Sequence, residues 1–218
     1  MQKKILLSFD LDFTLIDNIE GIFNSFQYVF EKYHIRNISI EQVKQTIGLP
    51  LDEAFQMFTM IPSNILIDSF RSYYQEKGIY QVKFLPGALD VLKNLKNYPA
   101  TLGIITSKKQ ELAIKLLKNL KIYELFDYVL GENESIKKKT DPFIREFINY
   151  KYPLHKIIVI GDHIADRSLA ETLNCPFIGL LTGNHNQTQL KQESKVPVYI
   201  LNNIGELNYN TIDKIIEN

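Results

Sequence analysis

The sequence predicts an α/β protein, with a parallel sheet between helices and a helical domain inserted near the N-terminus. From about residue 83 onward, short apolar runs alternate with amphipathic stretches, as in successive βα units. Residues 18–80 contain no comparable run and carry apolar side chains three and four positions apart, which is typical of helices. We therefore expect an α/β core of residues 1–15 and 83–218, and a helical domain of residues 16–82.

Six apolar runs are expected to form the strands of the sheet. They cover residues 5–9, 101–106, 126–130, 157–160, 177–181 and 198–201. Helical spacing follows most of them, as in 110–120, 142–150 and 165–173. Because a helix between two strands returns the chain to the same edge, these strands are expected to be parallel.

Composition excludes several classes of partner. The 218 residues include 25 basic and 25 acidic side chains, so the formal net charge is zero and neither nucleic acid nor an anionic membrane is indicated. Cys175 is the single cysteine, which rules out an intrachain disulfide and fits a reducing, cytoplasmic location. The first apolar run is interrupted by Asp10 and Asp12, so we expect no signal peptide, and no 18-residue apolar stretch predicts a membrane span.

Polar side chains follow four of the predicted strands. They are Asp10 and Asp12 after the first, Thr106 and Ser107 at the end of the second, Lys137, Lys138 and Lys139 after the third, and Asp162 and Asp166 after the fourth. The carboxyl ends of parallel strands meet at one edge of the sheet, where ligands collect. The sequence therefore predicts a single site that contains four carboxylates, hydroxyl groups and a lysine.

These residue types point to phosphate chemistry with a metal. Carboxylates this close repel one another unless a cation neutralises them. Oxygen ligands without a cluster of His or Cys favour Mg²⁺ over Zn²⁺. Lysine and hydroxyl donors suit an anionic substrate such as a phosphate. One carboxylate can act as a nucleophile, and a second, two residues later, as general acid and base.

The order of these motifs resembles the haloacid dehalogenase (HAD) superfamily. The motifs are DLDFT at 10–14, the hydroxyl of Thr106, a lysine before the next helix and GDHIAD at 161–166. The segments IGLPLDEAF, FLPGALDVLKNLK and VYILNNIGEL look like the phosphoglycolate-phosphatase-like branch. The resemblance implies a Rossmann-like parallel sheet core with an inserted α-helical cap domain.

The resemblance also implies roles for the acidic residues. Asp10 would be the nucleophile and a Mg²⁺ ligand. Asp12 would be the general acid and base, and its backbone carbonyl would bind the same metal. Asp162 would be the third protein ligand of the metal. Asp166 would not bind the metal directly and would lie next to the lysine.

The remaining motif residues would hold or brace the phosphate site. By the same resemblance, the hydroxyl of Thr106 and the amide of Ser107 would bind the phosphoryl oxygens. Thr14 would brace the loop that carries the two aspartates. His34, His155, His163 and His185 show no metal-ligand spacing, and we expect them on surfaces or loops.

Two positions depart from the family pattern. Phe13 stands where glycine is usual; it lacks the backbone freedom of glycine and is expected to narrow the cap interface and alter substrate choice. The family pattern Lys-Pro-x-Pro-Asp/Glu-Pro is replaced by KKKTDP at 137–142. Alignment without a gap through Asp141 and Pro142 makes Lys137 the functional lysine, which we favour, whereas a slip of two residues makes it Lys139.

The predicted function is a Mg²⁺-dependent phosphatase that hydrolyses a small phosphomonoester through an aspartyl-phosphate. The partner would be a small phosphorylated metabolite: a phosphoglycolate-like compound, a nucleotide or a sugar phosphate. A β-phosphoglucomutase-like phosphotransferase is a less favoured alternative, because that family usually has valine where Thr14 stands. A binding or regulatory protein on the same scaffold is another alternative. Either a monomer or a homodimer is compatible with the sequence.

Overall fold

A six-stranded parallel sheet forms the centre of the computed structural model, which describes residues 4–36 and 38–217. The strands are β1 Ile5–Phe9, β2 Ile16–Asp17, β3 Lys83–Phe84, β4 Ala100–Lys109, β5 Tyr128–Glu132, β6 Lys156–Gly161, β7 Phe177–Leu180 and β8 Val198–Leu201. The large sheet has the order β5-β4-β1-β6-β7-β8, and every described pairing in it is parallel. The predicted α/β fold class is confirmed.

Helices follow most of the strands. They are α1 Ile19–Lys32, α2 Ile40–Lys44, α3 Leu51–Gln56, α4 Ser63–Glu76, α5 Ala88–Leu95, α6 Gln110–Asn119, α7 Pro142–Lys151, α8 Ile164–Leu173, α9 Gln187–Lys191 and α10 Tyr209–Glu217, with short 3-10 turns at Gly78–Tyr80, Tyr123–Leu125 and Ile204–Glu206. Helix α7 begins at Pro142, whose fixed φ suits a first helical position. Its buried residues Ile144 and Ile148 join the core beside Leu169 of α8. The helices therefore cover the sheet with their apolar faces.

The strand order brings the predicted motifs together. Strand β1 lies between β4 and β6, so Phe9 is paired with Ile104 on one side and with Ile160 on the other. Strands β4 and β5 lie on one side of β1, and β6, β7 and β8 lie on the other. Where the strand order reverses in this way, a crevice forms at the carboxyl ends of the strands. Residues that follow Phe9, Ile104 and Ile160 must therefore lie at this one edge.

The chain divides into two compact units, one of Met1–Ile16 with Phe84–Asn218, the other of Asp17–Lys83. The second unit contains α1 to α4 and a core of aromatic rings. The ring centroid of Phe26 lies 4.8 Å from that of Phe55 and 5.0 Å from that of Phe70. That this helical unit acts as a cap stays a prediction. Among the described residues, no helix has the length and apolar character needed to cross a membrane.

Candidate functional site

A buried lysine joins two of the predicted aspartates. Lys139 Nζ lies 2.8 Å from Asp10 Oδ1 and 2.5 Å from Asp166 Oδ1, and its side chain is only 2% exposed. Asp10 directly follows β1, and its amide donates to the carbonyl of Ile160 in β6. Asp166 lies in the first turn of α8, where its second oxygen accepts from the amide of His163. Charges buried this deeply are tolerated because they are paired.

The structure places Lys137 and Lys139 differently, and the functional lysine stays a matter for proposal. The backbone amides of Lys137 and Lys138 both donate to Asp141 Oδ2, so the segment turns tightly around this carboxylate. The turn leaves Lys137 exposed, with its Nζ 2.8 Å from the carbonyl of Asn133. Lys139 comes after the turn and enters the core. Of the two candidate lysines, only Lys139 contacts Asp10 and Asp166 among the described residues.

Asp162 is fixed by two contacts at the end of β6. Thr14 Oγ1 donates to Asp162 Oδ1 over 2.9 Å, and both side chains are buried. A Cβ at Gly183 would lie 1.9 Å from Asp162 Oδ2, so any larger residue there would displace the carboxylate. Thr14 therefore holds the aspartate of a distant loop in place, which is a more specific role than bracing its own loop.

Asp12 forms a second ion pair at the same edge. Its Oδ2 lies 3.1 Å from Lys108 Nζ, and the two side chains are 15% and 9% exposed. Its Oδ1 is buried and accepts no hydrogen bond from the described residues. The end of β4 carries both Lys108 and buried Thr106, whose Oγ1 accepts from the amide of Lys108 over 3.2 Å. Ser107, between them, is partly buried.

Burial shifts the titration of these groups. It raises the pKa of Asp10 to about 6, although the Lys139 ammonium opposes the shift. It also raises the pKa of Asp162 well above its usual value, with the Asp10 carboxylate adding to the effect. Burial alone would lower the pKa of Lys139, but the carboxylates of Asp10 and Asp166 raise it above its ordinary value. The lysine is therefore a permanent cation, and a further cation beside Asp10 and Asp162 would favour their charged forms.

Residues 7–180 match the family model described as haloacid dehalogenase-like hydrolase. The match covers most of the chain and includes the aspartates, Thr106 and Lys139. The chain belongs to the haloacid dehalogenase-like hydrolase family.

Named relatives agree with this membership. The chain is 28% identical to pyrophosphatase PpaX of Halalkalibacterium halodurans, over 72% of this chain and 74% of the relative. It is 24% identical to a phosphoglycolate phosphatase of Aliivibrio fischeri, over 84% of this chain and 86% of that protein. The structure also matches a haloacid dehalogenase-like family hydrolase from Streptococcus pneumoniae with a TM-score of 0.81 and 26% identity, over 92% and 95% of the two chains. The family assigned from the motifs, and the expectation of an enzyme, are confirmed.

The acidic residues of this HAD-family chain fit a divalent cation. Carboxylate oxygens of Asp10, Asp162 and Asp166 lie within 4.8 Å of one another. Asp166 already uses both oxygens, for Lys139 and for the amide of His163, which leaves Asp10 and Asp162 to hold an ion. By formal charge, the four aspartates and the two lysines Lys108 and Lys139 sum to two negative charges. Oxygen donors and this charge suit a hard dication.

Phe13 has a left-handed backbone conformation. Its φ is 55°, in the left-handed region that side chains disfavour. The conformation is held because the Phe13 amide donates to the carbonyl of Ile16 over 2.7 Å and its carbonyl accepts from Thr182 Oγ1. The ring is buried, at 4% exposure. Its predicted effect on substrate choice stays a prediction.

Sequence reasoning missed Lys108, Gly183 and a histidine pair. The rings of His163 and His185 meet edge to face with centroids 4.3 Å apart. Burial, with help from His185 and Lys139, lowers the pKa of His163 to about 4, so its ring is neutral at pH 7. Both histidines lie in loops, as expected, and are partly buried. No local pattern marks these residues, because each is placed by a contact with a distant segment. For Lys108, the signal was its position two residues after the hydroxyl that ends β4.

Proposed function

We propose that this protein is a Mg²⁺-dependent phosphatase that hydrolyses a small phosphomonoester through a phosphorylated Asp10. The observation that carries the proposal is the pairing of Asp10 with buried Lys139 beside a second aspartate, Asp12, that has a buried and unused oxygen. A nucleophile, a fixed cation and a separate proton carrier are the groups that the reaction needs. The named phosphatase and pyrophosphatase relatives support this reaction class.

In the first step, a carboxylate oxygen of Asp10 attacks phosphorus and forms an aspartyl-phosphate. The bond between phosphorus and the leaving oxygen breaks, and Asp12 in its acid form gives its proton to that oxygen. Lys139 keeps Asp10 ionised and balances charge on the transferring phosphoryl group. The hydroxyl of Thr106 and the amide of Ser107 bind the phosphoryl oxygens.

In the second step, water hydrolyses the aspartyl-phosphate. Asp12, now a carboxylate, takes a proton from the water as its oxygen attacks phosphorus. The bond from phosphorus to the Asp10 oxygen breaks, which releases phosphate and restores both aspartates. The separation of Asp10 and Asp12 by one residue lets two adjacent carboxylates serve as nucleophile and proton carrier.

Asp10 and Asp162, with the backbone carbonyl of Asp12, would hold the metal ion. When bound, Mg²⁺ supplies positive charge that orients the phosphate and stabilises its transition state. Thr14 holds Asp162 for this task, and Asp166 holds Lys139. We assign the lysine function to Lys139 because Lys137 is exposed and bonded to a backbone carbonyl.

The substrate that we propose is a small phosphorylated metabolite. The relatives are named for phosphoglycolate and for pyrophosphate, which both carry a second acidic group next to the phosphoryl group that is removed. Sugar phosphates and nucleoside monophosphates lack such a group at that position, so we rank them below.

Hydrolysis of p-nitrophenyl phosphate tests the proposal. We expect turnover with Mg²⁺, loss of turnover in EDTA, and a loss on the order of 10⁴-fold in Asp10→Asn, because the nucleophile is removed. Asp90→Asn, an exposed aspartate of α5, is the matched control and should keep wild-type activity. Full activity of Asp10→Asn would contradict the proposal, and so would absence of metal-dependent turnover on any phosphate ester.

A further inference from the structure

The segment between β7 and α9 touches both loops that carry the proposed metal ligands. Thr182 Oγ1 donates to the carbonyl of Phe13, the residue directly after Asp12. The next residue, Gly183, has no side chain, and a Cβ there would lie 1.9 Å from Asp162 Oδ2. Two adjacent residues of this segment therefore contact the backbone of one ligand loop and the carboxylate of the other.

The segment is itself fixed at both ends. The amide of Leu181 donates to the carbonyl of Leu201 over 3.1 Å, at the end of β8. At the other end, Asn186 forms a capping box at the start of α9. Beyond α9, the carbonyl of Gln192 accepts from Arg167 of α8 over 2.7 Å. A segment held at both ends can hold the loops that it touches.

The backbone at Phe13 sets the direction of the Asp12 carbonyl. The φ of Phe13 is 55°, a conformation that residues with a Cβ disfavour. A change of φ to negative values would turn the peptide plane that contains this carbonyl. The amide of Phe13 donates to the carbonyl of Ile16, and the carbonyl of Phe13 accepts from Thr182. Loss of the Thr182 hydroxyl therefore removes a hydrogen bond that opposes this rotation.

We propose that Thr182 and Gly183 are positioning residues for the metal ion of the proposed function. Thr182 fixes the direction of the Asp12 carbonyl, and Gly183 leaves the space that the Asp162 carboxylate occupies. The inference rests on the proposed function and adds a further segment to its site. Ligands that are already in place bind an ion more tightly, and residues behind the ligands tune the affinity for this reason.

Binding of Mn²⁺ to the full chain tests the inference without turnover. Mn²⁺ prefers oxygen ligands, as Mg²⁺ does, and electron paramagnetic resonance measures the free ion. Thr182→Val keeps the shape of the side chain and loses the hydroxyl, so we expect its Kd for Mn²⁺ to rise about 3- to 10-fold, the range for one hydrogen bond. Thr182→Ser keeps the hydroxyl and should stay within about twofold of the wild type.

The metal dependence of activity gives a second readout. The Mg²⁺ concentration for half-maximal hydrolysis of p-nitrophenyl phosphate should rise in Thr182→Val by the same factor as the Kd for Mn²⁺. Saturating Mg²⁺ should restore most of kcat, because the groups that react are unchanged. A variant that is only less stable would melt at a lower temperature and keep the wild-type metal dependence.

Matched controls exist for both residues. Thr172 Oγ1 also donates to a backbone carbonyl, that of Ser168 over 2.9 Å, so Thr172→Val removes the same kind of bond outside the site. Gly183→Ala should weaken Mn²⁺ binding more than about 10-fold, because it displaces a ligand. In Gly179→Ala the new Cβ would instead meet side-chain carbons of Leu190 and Ile200, at 2.9 and 3.0 Å. Both controls should bind Mn²⁺ as the wild type does.

Wild-type Mn²⁺ affinity in Thr182→Val or in Gly183→Ala would overturn the inference. A loss in Thr182→Ser as large as that in Thr182→Val would do the same, since it would assign the effect to packing. So would an equal loss in Thr172→Val. These results leave the proposed function intact as long as the wild type hydrolyses phosphate esters with Mg²⁺. If the wild type neither binds Mn²⁺ nor hydrolyses any phosphate ester, both proposals fall together.

Discussion

The two compact units bury different kinds of side chain. Among the described residues, every buried charged group belongs to the α/β unit: Asp10, Lys139, Asp162 and Asp166. The helical unit instead buries aromatic rings such as Phe26, Phe30 and Phe55. Burial of rings stabilises a fold, whereas burial of charge costs free energy unless it is compensated. The α/β unit therefore carries the cost of buried charge at the edge of its sheet, which the helical unit does not.

The largest effect should come from breaking the buried ion pairs. Lys139→Met leaves Asp10 and Asp166 without their cation, so we expect a loss of about 3–5 kcal/mol in the free energy of unfolding. We also expect a fall of about 10²- to 10³-fold in kcat, because the ammonium that stabilises negative charge on the transferring phosphoryl group is lost. Urea unfolding and steady-state kinetics measure the two effects.

Lys137→Met is the matched control, since it removes the same side chain two residues earlier. Lys137 is exposed and bonded to a backbone carbonyl, so changes below about 0.5 kcal/mol are expected. If Lys139→Met does not fold, Lys139→Gln at low temperature also removes the cation and tests the kinetic effect. A larger loss of activity in Lys137→Met than in Lys139→Met would restore the assignment made from spacing.

In the helical unit, removal of a ring should affect stability through packing alone. Phe26 contacts Phe55 and Phe70, and Phe26→Ala is expected to cost about 3–5 kcal/mol because it leaves a cavity. Tyr28→Ala, on the same helix but 39% exposed and stacked on Tyr73, should cost about 1 kcal/mol. Chemical unfolding of both variants gives the comparison, and equal costs would show that the aromatic core does not stabilise this unit.

Sequence reasoning succeeded where residues act through a repeating pattern. Alternating apolar runs gave the strands, and β1 and β8 begin and end where they were expected. The acidic motifs were found because the ends of parallel strands share one edge of the sheet. It could not see local hydrogen bonds or distant contacts: the turn around Asp141 leaves Lys137 exposed before Lys139 enters the core, and an ion pair joins Lys108 to Asp12. The short strands β2 and β3 were also missed, because two residues show no periodicity.

Added Mg²⁺ should recover part of the stability that the site gives up. At ten times its Kd, a bound ion stabilises the fold by about 1.4 kcal/mol, measured as a rise in melting temperature. Burial raises the pKa of Asp10 to about 6 and also raises the pKa of Asp162, so a proton competes with the ion more strongly at pH 5 than at pH 7.5. The rise should therefore be larger at pH 7.5 than at pH 5. Asp162→Asn, which removes one proposed ligand, should abolish the rise, and an equal rise in this variant would exclude Asp162 as a ligand.

The smallest effect concerns the strained backbone at Phe13. With φ at 55°, any residue with a Cβ is strained by about 1–2 kcal/mol at this position, whereas glycine is not. Phe13→Ala and Phe13→Gly both lose the buried ring, so the difference between them isolates the backbone. Glycine has more freedom in the unfolded chain, which offsets part of the gain. We therefore expect the glycine variant to be more stable than the alanine variant by about 1 kcal/mol in urea unfolding. An alanine variant as stable as the glycine variant would show that Phe13 adopts its conformation without strain.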